Sequence, residues 1–235
     1  SGMVGSNFLE HPHINKFKIL APSRKELDLR DFNKTKNFLK KFKPDLVIHA
    51  AGIVGGIHAN IQYTLKFLLE NLDMGKNIIM ASKETSVKKL INLGSSCMYP
   101  RLYKKPLTEN LILNGQLKKS NEGYALAKIA ITRLCQYVAQ ENSKFKYKTI
   151  IPCNLYGKYD KFNNDESHLI PAIIHKIHNA KLNKINKVEI WGKGRVRREF
   201  MYAGDFADAL YNAIIKFQSL PSIMNIGLGE DYNIK

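Results

Sequence analysis

Long apolar runs, paired cysteines and acidic residues are all scarce in this chain of 235 residues. No apolar run reaches the roughly 18 residues of a membrane-spanning helix, and no basic-then-apolar signal segment opens the sequence, so we expect neither. The three cysteines, Cys97, Cys135 and Cys153, are odd in number, widely spaced and outside any CxxC pair. This pattern argues against a disulfide framework or a structural zinc site and favours a reducing, cytoplasmic compartment.

Acidic residues number 20 against 37 lysines and arginines, which gives a formal net charge of +17. Such a charge is typical of proteins that bind nucleic acid or an anionic substrate. The lysines, however, occur in ones and twos along the whole chain, as at Lys88 and Lys89, without a long basic run. A solvated, lysine-rich surface therefore explains the charge better than a nucleic-acid partner does.

Short apolar runs alternate with amphipathic stretches through most of the sequence. Four runs are predicted to be strands: 17–21, 46–51, 90–94 and 149–152. Three stretches between them are predicted to be helices: 32–42, 64–82 and 124–141. Because apolar strands separated by helices form parallel sheets covered on both faces, the sequence predicts an α/β fold with a doubly wound parallel sheet of the Rossmann type.

The sequence pattern changes after Pro152, where loops rich in Gly, Asn and Asp separate the predicted helices and strands. The further predicted elements are a helix over 170–180, a short strand over 188–191, a helix over 204–217 and a strand-like segment at 225–227. We therefore expect residues 1–155 to form an NADP-binding domain. Residues 156–235 are expected to form mainly a smaller, mixed α/β substrate-binding lobe with interleaved sheet elements.

The two ends of the sequence are unusual for such a fold. The chain opens at Ser1-Gly2-Met3-Val4-Gly5, which resembles the second half of a glycine-rich strand-to-helix turn, but no strand precedes it. It stops soon after the strand-like segment at 225–227. We therefore expect the sequence to be a piece of a longer protein.

A glycine-rich turn lets the backbone approach the pyrophosphate of a dinucleotide. Gly2 and Gly5 alone are a weak signal, but Arg24 and Lys25 follow the strand predicted at 17–21. An acid at that strand end would hold the ribose hydroxyl of NAD, whereas an arginine suits the 2′-phosphate of NADP. The combination favours NADP, and a basic surface turn is the alternative.

A Ser, Tyr and Lys set is the strongest catalytic signal in the sequence. Tyr124 and Lys128 lie at helical i and i+4 spacing and so share one helix face. An ammonium near a phenol favours the phenolate, so we expect Lys128 to lower the pKa of Tyr124 and make Tyr124 an acid for a carbonyl oxygen. Ser95 follows a predicted strand at the carboxyl edge, where ligands bind in such sheets, and could hydrogen-bond the same oxygen.

These motifs resemble those of the extended short-chain dehydrogenase/reductases that act on nucleotide sugars, over essentially the whole chain. The resemblance rests on these segments: 2–6, 24–29, 49–57, 94–100, Tyr124 with Lys128, 152–157, 167–168, 191–192 and 198–200. The Val-Gly-Gly-Ile element at 54–57 and the Ser-Ser-Cys element at 95–97 are specific to the branch that makes GDP-L-fucose. A 4,6-dehydratase of the superfamily would carry Asp-Glu in place of Ser96-Cys97.

The resemblance implies a Rossmann cofactor domain, a homodimer and NADPH-dependent 3,5-epimerisation and 4-keto reduction of GDP-4-keto-6-deoxy-D-mannose. It implies Tyr124 as the proton donor to the C4 oxygen, with Lys128 holding the nicotinamide ribose and Ser95 orienting the carbonyl. Cys97 and His168 would be the acid/base pair of the epimerisation, in either order. Thiol and imidazole groups titrate close enough to neutrality to be tuned for this task.

The resemblance also implies two sets of binding residues. The implied substrate contacts are Trp191, Arg198 and Lys176. Lys176 stands where an arginine is expected; it keeps the positive charge but cannot form the bidentate hydrogen bonds of a guanidinium. Cofactor contacts fall on Gly2, Met3, Val4, Gly5, Arg24, Lys25, Glu26, Leu27, Asp28, Leu29, Leu93, Gly94, Ser95, Ser96, Lys128, Pro152, Cys153, Asn154, Leu155 and His168.

Two other functions remain open from the sequence. One is another nucleotide-sugar enzyme of the superfamily, such as a UDP-hexose 4-epimerase, against which Cys97, His168 and Arg24 argue. The other is an inactive dinucleotide-binding or RNA-binding relative, which only the positive charge supports. No metal site is predicted, since His175 and His178 lie at helical spacing without a neighbouring carboxylate.

Overall fold

The computed structural model describes residues 2–103, 106–162, 167–190, 194 and 196–234. The helices are α1 (Met3–Leu9), α2 (Phe32–Phe42), α3 (Ile57–Gln62), α4 (Thr64–Glu84), α5 (Glu122–Glu141), α6 (Leu169–Leu182) and α7 (Ala203–Ile215). The strands are β1 (Leu46–His49), β2 (Lys89–Leu93), β3 (Lys146–Pro152), β4 (Asn154–Tyr156), β5 (Arg197–Arg198), β6 (Phe200–Tyr202), β7 (Ile223–Ile226) and β8 (Tyr232–Asn233).

The main sheet is entirely parallel, with strand order β1-β2-β3-β7. Helices cover both of its faces, because successive side chains of a strand point to opposite sides. Leu90 of β2 packs with Ile79 of α4 and Ile131 of α5 on one face. Ile91 packs with Phe206 of α7 on the other face. The doubly wound parallel sheet predicted from the sequence is confirmed.

Helix α2 has the bounds that the sequence predicts, and local chemistry explains both ends. The side chain of Asp31 accepts a hydrogen bond from the backbone N–H of Lys34 at 2.9 Å, which caps the first turn. Lys43 adopts a left-handed φ of 44° and ends the helix.

The strand predicted at 17–21 does not form. Phe17 and Ile19 pack against the core shared by α1 and α7, but the segment has no ladder partner among the described residues. Within the part of the chain that the structure describes, the edge strand β1 pairs with β2 alone. The apolar pattern marks Phe17 and Ile19, which are partly buried, but Leu20 and Ala21 are exposed. A strand also requires a neighbouring strand for its backbone groups.

Outside the main sheet, β4 pairs with β6 in parallel and β5 pairs with β8 in antiparallel orientation. The short strand predicted at 188–191 is absent over residues 188–190, which are exposed and unpaired in any ladder, and Trp191 lies outside the described residues. Helix α7 and strand β7 belong to the layers of the main sheet. The proposed division at residue 155 stays a prediction.

No helix within the described ranges is long and apolar enough to cross a membrane.

Candidate active site

Several residues that the sequence singles out lie at the carboxyl edge of the parallel sheet. Strand β1 ends at His49, β2 at Leu93 and β3 at Pro152. A β-carbon at Gly94, just past β2, would lie 3.0 Å from side-chain atoms of Met98 and Ile151, so glycine lets the backbone pass close to them. Ser95 follows directly.

Ser95 caps the short 3-10 turn that carries Cys97. Its hydroxyl oxygen accepts a hydrogen bond from the backbone N–H of Cys97 at 3.4 Å. Burial raises the pKa of the Cys97 thiol to about 11, although Ser95 and the charge of Lys128 oppose the shift. The thiol is therefore protonated at neutral pH.

Helix α5 brings Tyr124 and Lys128 to the same place. The Nζ of Lys128 donates to the backbone carbonyl of Leu93 at 2.9 Å and lies 5.7 Å from the centre of the Tyr124 ring. Lys128 is only 4% exposed, and burial lowers its pKa to about 8. The spacing of one helical turn read from the sequence thus places both side chains against the end of β2.

The expected lowering of the Tyr124 pKa does not hold in this arrangement. Burial and the neighbouring Cys97 raise the pKa of the phenol, and the Ser95 hydroxyl opposes them only in part. The ammonium of Lys128 is turned to the Leu93 carbonyl rather than to the phenol oxygen. A protonated phenol is the form that a proton donor needs.

Two residues at this site were not found by sequence reasoning. Asn71 of α4 accepts from the backbone N–H of Ile53 at 2.9 Å and donates to its carbonyl at 3.0 Å, which fixes the loop after β1. His49 is 2% exposed and faces Lys128; burial and that charge lower its pKa to about 3. In the sequence, the two residues stand out only as polar positions within apolar stretches. The sequence alone does not show what they contact.

The first turn of α1 has the open space that a dinucleotide requires. A β-carbon at Gly2 or at Gly5 would meet no heavy atom within 4 Å. Met3 and Val4 lie between them at the start of the same helix. The residues present therefore fit a backbone approach to a pyrophosphate.

The segment 24–29 follows the extended stretch after residue 17 and packs against α4. Arg24 lies 3.4 Å from Glu70 and its side chain is 61% exposed, so it is accessible to an anion. The guanidinium of Arg30 forms a bidentate ion pair with the carboxylate of Asp28, and the shortest N···O distance is 2.6 Å. The same guanidinium lies 3.2 Å from the carboxylate of Glu70. This pairing lowers the pKa of Asp28 to about 2. Arg30 and Glu70 are further charged residues that the sequence analysis did not assign.

Some predicted cofactor contacts have structural partners of their own. The Glu26 carboxylate accepts from the backbone N–H of Ser23 at 2.7 Å, and Leu27 is buried. Asn154 donates from its side chain to the carbonyl of Glu199 at 2.9 Å. The remaining positions lie along this edge or beside Arg24: Lys25, Leu29, Ser96, Cys153 and Leu155.

His168 belongs to a different element and stands at the N-cap position of α6. Burial of its ring lowers its pKa, while the charge of Asp160 acts in the opposite direction. Asp160 follows the turn after β4 and was not identified from the sequence.

The predicted substrate residues lie on α6 and β5. Lys176 donates to the backbone carbonyl of Glu189 at 2.8 Å. Arg198 is half-buried, and burial lowers its pKa. Burial and the charge of Arg198 also lower the pKa of Lys118, so two cations face one region before α5. Trp191 lies outside the described residues.

Comparisons with known proteins agree with this geometry. The family described as "NAD dependent epimerase/dehydratase family" matches residues 1–233. GDP-L-colitose synthase of Yersinia pseudotuberculosis is 54% identical over 99% of this chain and 76% of its own length. GDP-L-fucose synthase of Azorhizobium caulinodans is 46% identical over 99% of this chain and 74% of its own length.

Among solved structures, a GDP-D-glycero-L-gluco-heptose synthase from Campylobacter jejuni, determined in the presence of NADPH, superimposes with a TM-score of 0.89. It is 31% identical, and the match covers 100% of this chain and 80% of that one. The parallel sheet, the site at its carboxyl edge and the match along nearly the whole sequence lead to one conclusion: the chain belongs to the NAD dependent epimerase/dehydratase family.

Proposed function

We propose that this protein is an NADPH-dependent epimerase and reductase that converts GDP-4-keto-6-deoxy-D-mannose into GDP-L-fucose. The observation that carries the proposal is the convergence of Ser95, Cys97, Tyr124 and Lys128 at one sheet edge. A simple ketone reductase needs only the serine, the tyrosine and the lysine, whereas epimerisation beside the ketone needs further titratable groups. The names of the three similar proteins reported above are those of GDP-sugar enzymes and support the same substrate class.

The ketone at C4 acidifies the protons on C3 and C5. A base removes one proton, an enolate forms with its charge on the C4 oxygen, and an acid returns a proton to the opposite face. Tyr124 and Ser95 stabilise that oxygen by hydrogen bonds, and Tyr124 protonates it when C4 is reduced. The raised pKa of Tyr124 keeps the proton in place until the oxygen becomes basic.

Cys97 and His168 supply the acid and base of the epimerisation. Both are uncharged at neutral pH, because burial raises the pKa of the thiol and lowers that of the imidazole. One group can therefore give a proton while the other takes one, and each proton removed at carbon is balanced by one returned.

NADPH fits the open first turn of α1, the accessible Arg24 and the buried amine of Lys128. When bound, it supplies the hydride that reduces C4. We assign the pyrophosphate to the backbone of Gly2–Gly5, the 2′-phosphate to Arg24 and the nicotinamide ribose to Lys128. The other positions at 25–29, 93–96 and 152–155 and His168 line the proposed cofactor cleft.

Arg198 and Lys176 are proposed to hold the GDP part of the substrate, with Trp191 beside the base. The half-buried guanidinium of Arg198 suits a pyrophosphate, because desolvated charge-assisted hydrogen bonds are strong. Formation of GDP-L-colitose is the second candidate function, since the relative at 54% identity carries that name.

The test is turnover by the purified protein. GDP-4-keto-6-deoxy-D-mannose and NADPH are mixed with wild type or with Tyr124→Phe, and absorbance at the reduced-nicotinamide band is followed. The proposal expects consumption by wild type alone, with GDP-L-fucose as product. A product that keeps the unepimerised configuration would show that the protein only reduces the ketone. The acid and base roles proposed for Cys97 and His168 would then be wrong.

We also propose a homodimer formed through the exposed face of α4 and α5. Leu65, Leu69, Leu126 and Tyr137 are 68%, 47%, 43% and 55% exposed, and they recur at helical spacing on two helices that pack side by side. Light scattering should report a dimer for wild type and a monomer for Leu65→Glu. Leu182→Glu, at 67% exposure on α6, is the matched control and should leave the dimer intact. A monomeric wild-type protein would contradict the proposed homodimer.

The compartment is proposed to be cytoplasmic. The three cysteines are all free thiols in the structure, as a reducing environment would keep them.

A further inference from the structure

The two residues that follow Cys97 anchor the 3-10 turn that carries this thiol. Met98 is fully buried, and its sulfur accepts a hydrogen bond from the hydroxyl of Thr132 on α5 at 3.6 Å. Tyr99 is only 5% exposed. The Cys97 side chain packs against an apolar cluster formed by Met98, Tyr99 and residues of α5. The position of the thiol therefore depends on how firmly these two neighbours are held.

The phenol of Tyr99 ties the turn to strand β7. Its hydroxyl donates to Oδ1 of Asn225 at 2.5 Å. Asn225 lies near the carboxyl end of β7, in register with Ile151 of β3. A turn at the end of one strand is thus fastened to the end of another strand of the same sheet, across 126 positions of sequence.

The amide of Asn225 is fixed in one orientation. Its Nδ2 donates to the backbone carbonyl of Leu107 at 3.0 Å, and a carbonyl can only accept. The amide oxygen must therefore face Tyr99, and the phenol must be the donor. The backbone N–H of Asn225 donates to the carboxylate of Glu109 at 2.7 Å, which holds the residue from a third direction. Burial raises the pKa of Tyr99 to about 12, so its hydroxyl remains a donor at neutral pH.

We propose that Tyr99 is a positioning residue for Cys97, and that its hydrogen bond to Asn225 holds the thiol at the distance from the sugar that proton transfer requires. The proposal rests on the epimerase function argued above. A displacement of about 1 Å at a reacting group can slow a reaction by about a hundredfold, so a single anchoring hydrogen bond is enough to matter.

The other end of the turn has an anchor of its own. The backbone N–H of Gly94 donates to the carbonyl of Ile150 on β3 at 2.8 Å, and Ser95 follows directly. Ser95 is therefore held by the sheet, whereas Cys97 is held by the residues after it. Loss of the Tyr99 hydroxyl should disturb the thiol more than the serine, and epimerisation more than reduction.

The first test needs no substrate. Alkylation of Cys97 by iodoacetamide at pH 8 is followed by mass spectrometry of its peptide. We expect Tyr99→Phe to raise the rate by about fivefold, the change in an equilibrium that loss of one hydrogen bond brings. Asn225→Leu removes the acceptor instead of the donor and should have the same effect. An unchanged rate in both variants overturns the proposal.

Tyr147→Phe is the matched control for this experiment. Tyr147 is 1% exposed, and its hydroxyl donates to the backbone carbonyl of Val87 at 2.8 Å, before the start of β2. The same atom is lost from an equally buried tyrosine away from the turn. Urea denaturation should detect a loss of stability in Tyr147→Phe, while Cys97 alkylation stays as in wild type. A rise as large as that in Tyr99→Phe would show general loosening and contradict a specific anchor.

The second test separates this proposal from the function on which it rests. Solvent deuterium incorporation beside the ketone and hydride transfer to C4 are measured in wild type and Tyr99→Phe. We expect incorporation to slow by about tenfold, with a change of less than about threefold in hydride transfer to the epimerised ketone. If wild type incorporates no deuterium, the epimerase function fails, and alkylation alone decides whether Tyr99 holds the thiol. If wild type incorporates it and Tyr99→Phe does so equally fast, only the role of Tyr99 fails.

A double-mutant cycle checks that the two side chains act as a pair. Residues that act through one shared contact give a double variant no worse than either single variant, whereas independent effects multiply. We expect Tyr99→Phe combined with Asn225→Leu to incorporate deuterium about as fast as Tyr99→Phe alone. A multiplied loss would contradict the hydrogen bond as the cause.

Discussion

The buried ammonium of Lys128 donates to the backbone carbonyl of Leu93 at 2.9 Å, which ties helix α5 to the carboxyl end of strand β2. This one contact sets the position of Tyr124, one helical turn earlier, against the loop that carries Ser95 and Cys97. The candidate catalytic residues are therefore held in place by a contact between a side chain and the backbone of the sheet.

Loss of the Lys128 proton should weaken cofactor binding in mildly alkaline solution. Burial lowers the pKa of Lys128 to about 8, so the ammonium that would hold the ribose is lost above that pH. We expect the NADPH dissociation constant to be flat below pH 8 and to rise by about tenfold per pH unit above it. Fluorescence titration of the cofactor measures this. Lys128→Met should bind weakly at every pH, and a wild-type profile that stays flat to pH 10 contradicts the assignment.

Gly5→Ala should separate cofactor binding from stability. Its β-carbon meets no protein atom within 4 Å and extends into the space assigned to the pyrophosphate. We expect unchanged or slightly higher stability, since alanine is favoured over glycine in helices by about 0.5–1 kcal/mol, together with at least tenfold weaker NADPH binding.

Gly75→Ala is the opposite case and serves as the comparison. Its β-carbon would lie 2.3 Å from the Cδ1 of Ile131, a fully buried side chain between α4 and α5. Overpacking of this kind costs about 1–3 kcal/mol, which urea denaturation would detect. Equal NADPH affinity of Gly5→Ala and wild type would remove α1 from the cofactor site.

Arg24→Ala should change the preference between the two nicotinamide cofactors. Hydrogen bonds to charged groups contribute about 1.5–3 kcal/mol, so loss of a 2′-phosphate contact raises the KM for NADPH by about tenfold to hundredfold. The KM for NADH should not move. Lys40→Ala, an exposed lysine on α2, is the control for a change of surface charge. Equal losses for both cofactors would place Arg24 elsewhere than at the 2′-phosphate.

His49 should make the protein sensitive to acid. Its pKa is lowered from 6.5 to about 3, because the buried ring cannot easily take a proton beside Lys128. The unfolded chain therefore binds one more proton than the folded chain between these two values, and stability falls as the pH falls through that window. Between pH 6 and about 4, we expect the free energy of unfolding of wild type to fall by about 1.4 kcal/mol per pH unit more than that of His49→Asn. Urea denaturation at several pH values measures the two slopes, and parallel slopes would contradict the buried neutral imidazole.

The strands and helices of the main sheet could be predicted because their patterns are local. Continuous apolar runs at β1, β2 and β3 indicated strands of a sheet covered on both faces. The amphipathic pattern of α2 predicted the first and last residues of that helix. The segment at 17–21 has a similar apolar run, yet no described strand pairs with it, because pairing depends on the whole sheet and not on the local sequence. The short strand β5 consists of two arginines and offers no apolar signal at all.

The candidate site was predictable where its residues share a helix face or a strand end. Tyr124, Lys128 and Ser95 satisfy that condition. The direction of the Tyr124 pKa was wrong, since spacing in the sequence does not reveal where the Lys128 ammonium points or how deeply the phenol is buried. Asn71 and Glu70 were missed, because the partners of each lie far away in the sequence.

The most direct test of the central claim is turnover in heavy water. GDP-4-keto-6-deoxy-D-mannose is converted by the purified protein with NADPH in D2O, and the product is analysed by NMR. We expect deuterium at C3 and C5, the cofactor's own hydrogen at C4, and the L-fuco configuration. A product with no deuterium at either carbon and the original configuration would contradict the account, because the protein would then reduce the ketone without epimerising the sugar.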